Sequence, residues 1–241
     1  VNEIGKRQKA DNVSGLLGES GFREYMNQLD TPLETGYLLR IGIDHFKEIN
    51  DNFGQEYGDF VLKKTAECIS GCTSEGQKVY KLVADEFLIL DVASDEAKDA
   101  DKLYDKVREA IDRFIETNEF KVMYTVSGGI VPFAALKGNQ CSEALKLTDF
   151  SLNEAKKLGR NRCYIFNGET YRKFLRKREI TQELREAVIN GFQGFTAFYQ
   201  PVFAEDKKSA LWSRSFNCVL PLKKFGMISP AEFIPFWKKQ V

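Results

Sequence analysis

The sequence lacks several features that mark common classes of protein. It has one histidine, His45, and five cysteines with no Cys-x-x-Cys pair, so a zinc site is not expected. Its 35 basic and 35 acidic residues cancel, so no overall charge would attract nucleic acid or an anionic membrane. No apolar run approaches the roughly 20 residues of a membrane-spanning helix, and the first residues lack a signal-peptide layout. We therefore expect a cytoplasmic protein with free thiols and no nucleic-acid or membrane contact within this chain.

Helical and extended patterns alternate over the first ~165 residues, which predicts a layered α/β (α+β) domain. A continuous apolar run at 37–43, broken only by Arg40, indicates a central strand. Gly128 and Gly129, within another predicted strand, indicate a bulge or a close approach of backbone. The predicted helices are 19–29, 60–69, 97–115 and 142–158, and the other predicted strands are 78–82, 87–92, 122–131 and 163–166, with 78–92 forming a hairpin.

The chain changes character after Asn167 and Gly168. An apolar stripe predicts a connecting helix up to about residue 190, with an interruption expected near Thr181. Beyond it, 198–202 has a strand pattern, 206–224 is irregular, and 229–235 resembles a loop that enters a helix.

At three places, polar and charged residues directly follow a strand or helix pattern. Such residues are not expected in a hydrophobic core, so they are candidates for a functional site. The first runs from Asp44-His45-Phe46-Lys47 through Ile49-Asn50-Asp51 to Gly58-Asp59, the second is Ala84-Asp85-Glu86-Phe87, and the third is Lys156 with Gly159-Arg160-Asn161. With Ser14-Gly15-Leu16-Leu17 upstream, these motifs resemble the GGDEF domain, the diguanylate cyclase family, over 11–167. The resemblance implies a nucleotidyl-cyclase-like fold, in which helices flank a central, mostly antiparallel sheet.

The family joins two GTP molecules into cyclic-di-GMP across a dimer, and its phosphoryl transfer depends on cations and in-line positioning. By resemblance, Asn50 and Asp59 contact guanine, while Lys47, Lys156 and Arg160 hold phosphates. Asp44 and Asp85 match acidic positions, which leaves room for weak Mg²⁺ binding there and for a residual catalytic role of Asp85. The alternatives drawn from the residues alone are that Asn50 caps a turn and Asp59 caps a helix starting at Phe60. In the same reading Asp44 caps a turn at a strand end, Asp85 and Glu86 are solvated turn acids, and the three cations belong to a basic helix end.

This sequence departs from the family pattern at its chemical centre. Gly42 stands at the first position of the Asp-x-Asp metal pair, so that position offers no carboxylate. Val83 and Ala84 replace the two signature glycines, which changes any turn that needs a left-handed residue. The family's product-inhibition motif, Arg-x-x-Asp, is replaced by Ser74 and Gln77 at its two defining positions.

The last part of the chain resembles the start of an EAL domain, the cyclic-di-GMP phosphodiesterase family. The resemblance lies in 198–202 and 229–235, but Ser209-Ala210-Leu211 stands where the family has Glu-Ala-Leu. A barrel of that class needs roughly 250 residues, so we expect only a truncated, inactive opening part here. The expected divisions are an N-terminal cut or linker at 1–10, a degenerate GGDEF domain at 11–168, a connecting helix at 169–192 and the EAL start at 193–241.

The sequence favours a regulatory GGDEF module, catalytically inactive and able to sense GTP or cyclic-di-GMP, within a GGDEF-EAL protein. We expect a homodimer or another protein partner. Two alternatives stay open at this point: an active diguanylate cyclase with an unusual turn, and a structural domain that binds protein and no nucleotide.

Overall fold

A computed structural model describes residues 10–29, 31, 33–92, 94, 97–117, 122–138 and 140–191, together with the backbone of five short strands further on. The described residues up to Gly168 form one compact unit, and those from Glu169 onward form a second. The expected start of the chain at 1–9 and the expected loop at 229–235 lie outside the described residues.

The first unit is built on a mixed sheet of six strands in the order β1-β3-β4-β2-β5-β6. Its central pairs β3–β4, β4–β2 and β2–β5 are antiparallel, and the two outer pairs are parallel. This confirms the predicted mostly antiparallel sheet. The strands are β1 Leu17–Gly18, β2 Tyr37–Ile43, β3 Gln77–Lys81, β4 Glu86–Asp91, β5 Val126–Pro132 and β6 Cys163–Ile165.

Five helices accompany this sheet: α1 Glu19–Asn27, α2 Phe46–Phe53, α3 Gln55–Cys72, α4 Ala97–Thr117 and α5 Cys141–Lys157. Alternation along β2 explains how both faces of the sheet are covered. Leu39, Ile41 and Ile43 pack with α3 and α4, whereas Leu38 belongs to a second cluster with residues of α1 and α5. Arg40 and Gly42 share the second face with Leu38, so they lie on the side that α5 covers.

Cys68 and Cys72 lie on α3, pack against the first cluster and form no disulfide. Burial raises the pKa of the Cys68 thiol to about 11, so this thiol is a poor nucleophile near neutral pH. Among the described residues no helix is long and apolar enough to cross a membrane.

Three sequence expectations about elements need correction. The predicted strand 122–131 begins at Val126, and a helix that the sequence analysis did not predict, α2, follows β2. The connecting helix, α6 Gly168–Ile189, runs without interruption at Thr181. The Thr181 hydroxyl donates to the Lys177 carbonyl at 2.8 Å, one turn back, so this residue fits within the helix.

In the second unit, α6 is followed by β7 Thr196–Tyr199, β8 Val202–Phe203, β9 Ala210–Leu211, β10 Phe216–Leu222 and β11 Gly226–Ile228. The order β11-β10-β7 forms a three-stranded antiparallel sheet, and β8 pairs with β9. The predicted strand at 198–202 therefore falls on β7 and the start of β8, and part of the irregular 206–224 segment is extended.

Candidate functional site

The site is centred on Gly42 near the end of β2, directly opposite Glu86 of β4 and Ser127 of β5. A β-carbon placed on Gly42 would lie 3.1 Å from the Nζ atom of Lys156 and 3.1 Å from Cδ2 of Leu152. The space beside Gly42 is therefore already filled by the last turns of α5. Of these two side chains, Lys156 brings a positive charge to this place, whereas the GGDEF pattern has a carboxylate at position 42.

Asp44, two residues further on, is buried and accepts three hydrogen bonds from two segments of the chain. Its carboxylate accepts from the Thr125 hydroxyl at 2.8 Å, the Ser127 hydroxyl at 2.7 Å and the backbone amide of Asn161 at 3.2 Å. Both oxygens are engaged within the fold. The geometry thus favours a structural role for Asp44 at the strand end over the metal contact considered from the sequence.

The signature turn between β3 and β4 folds with one strained residue. Ala84 takes a left-handed conformation with a φ of 56°, whereas Val83 does not and leaves its side chain 73% exposed. A β-carbon in this region costs about 1 kcal/mol or more compared with glycine. The backbone strain therefore falls on Ala84 and not on Val83.

Lys81 holds this turn from the inside. Its side chain is buried, and its amine donates to the carbonyl of Leu82 at 3.0 Å and to that of Ala84. Burial lowers the pKa of the Lys81 amine, while the charges of Asp11, Asp85 and Glu86 oppose that shift. The lysine therefore ties the turn to β3.

Of the two turn acids, Glu86 is tightly paired and Asp85 is not. Glu86 accepts from Nε of Arg40 at 2.7 Å and also from its Nη2, in a pair whose side chains are only 12% and 19% exposed. Arg40 also donates to the Leu145 carbonyl at 3.2 Å and lies 3.6 Å from Asp149. The Asp85 carboxylate, partly exposed, has no hydrogen bond or ion pair within the part of the chain that the structure describes.

Arg40 received no functional role from the sequence pattern alone. The available signal was a charged residue inside an otherwise apolar central strand, which requires a buried partner.

The side chains gathered here do not match the ligand set that Mg²⁺ prefers. Mg²⁺ needs near-octahedral oxygen ligands, of which carboxylates are the protein's usual share. Position 42 has none, Asp44 is taken up by hydroxyls and an amide, and Glu86 is paired with Arg40, which leaves Asp85 as the one acid of this set whose carboxylate has no hydrogen bond or ion pair among the described residues. Among the described residues no group of three or more His, Cys, Asp or Glu could hold a metal ion.

The predicted guanine-contacting residues come together at the junction of α2 and α3. Asn50 lies within α2 and Asp59 within α3, so neither caps a turn or a helix, and α3 begins at Gln55 rather than Phe60. The Asn50 side chain packs against Gly58. Its Oδ1 atom lies 1.8 Å from the place that a β-carbon of residue 58 would take. That Oδ1 atom is buried and has no hydrogen-bond partner within the described part of the chain. A buried acceptor without a donor suits a ligand that supplies one.

The three predicted phosphate-binding cations differ in their surroundings. Lys156 is half-buried beside Gly42, whereas Lys47 on α2 and Arg160 after α5 are exposed. Gly159, Arg160 and Asn161 form a run of positive φ angles, of 119°, 60° and 46°, which turns the chain so that the Asn161 amide meets Asp44.

The residues at the product-inhibition positions serve the fold instead. The Gln77 amide donates to Asp91 at 2.6 Å and to the Tyr37 hydroxyl at 3.3 Å, and its oxygen accepts from the Ser74 backbone at 2.8 Å. This arrangement leaves no arginine or free aspartate at those two positions to bind a product.

A cavity of about 400 Å³ lies elsewhere, along the face of α2 that carries Ile49 and Phe53. Met123 and Tyr124 form part of its opposite wall. Asp44 borders it, but none of the predicted nucleotide-binding residues does. It is therefore distinct from the candidate nucleotide site.

The chain belongs to the GGDEF family: the family model described as "Diguanylate cyclase, GGDEF domain" matches residues 9–162. This family defines the cyclic-di-GMP signalling class to which the first unit is assigned.

Curated relatives carry both activities of that signalling class in their names. The chain is 28% identical over 199 residues to cyclic di-GMP phosphodiesterase NbdA of Pseudomonas aeruginosa, covering 80% of this chain and 25% of that protein. It is 29% identical over 165 residues to diguanylate cyclase DgcZ of Escherichia coli, covering 67% of this chain and 54% of that protein. The chain thus spans between a quarter and about half of the length of these relatives.

Solved structures support the fold. The isolated GGDEF domain of PA1120 from P. aeruginosa superposes with a TM-score of 0.61 at 24% identity, over 69% of this chain and 99% of that one. The S helix-GGDEF-EAL portion of LapD from Vibrio cholerae, bound to c-di-GMP, gives a TM-score of 0.58 at 18% identity, over 99% of this chain and 55% of that one.

Proposed function

We propose that this chain is a catalytically inactive GGDEF module that binds a guanine nucleotide and regulates a larger cyclic-di-GMP signalling protein. The observation that carries the proposal is the replaced metal position: Gly42 offers no carboxylate, and the amine of Lys156 fills the adjoining space. Removing one transition-state electrostatic contact commonly lowers a rate by 10²–10³. Here the metal carboxylate and the signature glycines are both missing, while Asn50 and Asp59 remain.

The nucleotide part of the proposal is supported by Asn50. Its Oδ1 atom is buried and lacks a donor. Guanine offers N–H donors on the edge that faces an amide or a carboxylate, so the base would satisfy this atom. Asp59 follows Gly58, the residue on which Asn50 packs, and adds a carboxylate from the next helix.

The tail supports a setting beside an EAL domain. The relative NbdA is named a phosphodiesterase, and the LapD portion that aligns with nearly all of this chain contains a GGDEF and an EAL domain. In the proposed arrangement, nucleotide occupancy of the GGDEF module alters its contacts with a neighbouring domain or a second copy.

The test combines a product assay with a binding assay. The purified chain is incubated with GTP and MgCl₂, and cyclic-di-GMP is sought by mass spectrometry; we expect none. Titration calorimetry with GTP should show binding that Asn50→Ala weakens at least tenfold, since a buried hydrogen bond is lost. Asn52→Ala, on the exposed part of the same helix, is the matched control and should bind as the unchanged chain does.

Two results contradict the proposal. Formation of cyclic-di-GMP would make the chain an active cyclase. Absence of GTP and cyclic-di-GMP binding would leave a structural, protein-binding domain.

A further inference from the structure

The face of the sheet around Gly42 carries an unusual arrangement of charge. Arg40, two residues earlier on the same strand face, is paired with Glu86, which lies across from Gly42. That pair neutralises the acid that lies across from Gly42. The Lys156 side chain, reaching in from α5, has no ion-pair partner among the described residues.

Lys156 differs from Lys157, the surface lysine that follows it on α5. Lys157 is exposed and pairs with Glu154 at 2.5 Å. Lys156 is half-buried, and its side chain makes no hydrogen bond or ion pair among the described residues. Its Nζ and Cε atoms lie 3.1 and 3.4 Å from the place that a β-carbon of residue 42 would take. An ammonium group, which offers three donors, is therefore left without an acceptor beside a strand end.

We infer that Lys156 takes the place of a divalent cation, so that this site binds a polyphosphate, free or as part of a purine nucleotide, without metal. A phosphate oxygen next to Gly42 would accept from the Lys156 ammonium in a charge-assisted hydrogen bond. A divalent cation at the same place would meet a positive charge, with no carboxylate at position 42 and with those of Asp44 and Glu86 already engaged. The inference deepens the proposed nucleotide binding and concerns only the phosphate end of that site.

The absence of a side chain at Gly42 is part of this metal-free phosphate site. A carboxylate there would lie within reach of the Lys156 amine and would pair with it. Gly42→Asp should therefore weaken metal-free polyphosphate binding by about tenfold, as an internal anion competes with the ligand. Gly42→Asn, nearly identical in size, places no charge there and should weaken it less.

The experiment titrates the full 241-residue chain with inorganic triphosphate and with GTP, each once in EDTA and once in MgCl₂. We expect both ligands to bind in EDTA with affinities within about twofold of those in magnesium. Lys156→Gln should weaken both by about tenfold or more, the cost of one charge-assisted hydrogen bond. Lys157→Gln is the matched control and should leave both unchanged. Circular dichroism checks that each variant is folded.

The outcomes separate this inference from the proposed function. Binding of triphosphate that requires magnesium, or that is unaffected by Lys156→Gln, overturns the metal-free site. Triphosphate binding in EDTA that depends on Lys156, with no gain for GTP and no effect of Asn50→Ala, supports the metal-free site and overturns the guanine site. Failure of both ligands to bind overturns both.

Discussion

At the scale of single residues, chemically equal side chains have unequal roles because their surroundings differ. Asp44 is buried and fixes two segments of chain through three hydrogen bonds, whereas Asp85, at a matching acidic position, is partly exposed and has no such partner within the described structure. The resemblance suggested the same metal-binding role for both. Burial and hydrogen-bond partners, which a single sequence does not contain, separate them.

The strain in the signature turn gives a test with a matched pair of variants. Ala84→Gly should raise the free energy of unfolding by about 0.5–1 kcal/mol, because glycine adopts its φ of 56° without a clash. Val83→Gly should give no such gain, since Val83 is not left-handed and the change only loosens the unfolded chain. Urea denaturation measures both. Equal effects at the two positions would contradict the assignment of the strain to Ala84.

The sequence shows which motif positions are substituted, but it does not show the contacts that surround them. The missing carboxylate at Gly42 and the replaced glycines could be seen directly in the motifs. The pairing of Arg40 with Glu86 and the approach of Lys156 to Gly42 could not, because they depend on strand register and on the way α5 crosses the sheet. Neither is encoded in the spacing of a motif.

At the scale of secondary structure, register and helix packing build the site. Because β2 is paired to β4 and β5 without a break, Gly42 faces Glu86 on one side and Ser127 on the other. The sequence predicted β2 to its first and last residue, since a long apolar run between polar ends is unambiguous. It missed α2, whose eight residues contain only a few apolar positions and lie within a motif.

The predicted feature at Gly128 and Gly129 proved to be a close approach rather than a bulge. A β-carbon on Gly129 would lie 2.3 Å from the backbone nitrogen of Leu152, and β5 stays in register with β2 throughout. Only a residue without a side chain lets α5 lie this near to the sheet. This contact fixes the distance between α5 and the sheet. It thereby also fixes the position of Lys156, one turn after Leu152, relative to Gly42.

Gly129→Ala should therefore be strongly destabilising, by about 3 kcal/mol or more, because backbone atoms must move apart. It should also weaken triphosphate binding in protein that is still folded at low temperature, since α5 carries Lys156. Gly71→Ala, in α3 with open space around the added methyl group, is the control and should be neutral or slightly stabilising. Thermal unfolding and calorimetry of both variants provide the measurements. A mild effect of Gly129→Ala would show that α5 is free to shift.

At the scale of the whole molecule, two compact units follow one another along the chain, and the family match falls within the first. The fold of that unit could be predicted because several motifs occur in order at family spacing. The expected EAL character of the second unit rests on short segments and stays a prediction. The stability of the first unit can be examined independently of any nucleotide, through the tyrosines buried in its core.

Raising the pH above 10 should lower the free energy of unfolding of the first unit. Burial raises the pKa of Tyr80 and of Tyr124 to about 12, and it raises the pKa values of Tyr37 and Tyr104 as well. An unfolded tyrosine titrates near 10, so between about 10 and 12 the unfolded chain loses protons that the folded chain keeps. Stability is therefore fully present below pH 10 and is lost as the pH rises towards 12.

Tyr124 offers the sharpest check, because its hydroxyl is buried and lies 3.0 Å from that of Thr65. Above pH 10 it should contribute a loss of up to about 1.4 kcal/mol per pH unit. Tyr124→Phe should lower stability at neutral pH by about 1 kcal/mol, since the Thr65 hydroxyl loses its partner, and should flatten the decline between pH 10 and 11.5. Urea unfolding across that range, with tyrosinate absorbance as a second signal, measures both effects. An unchanged slope in the variant would mean that Tyr124 ionises within the folded protein, and so that water reaches this part of the core.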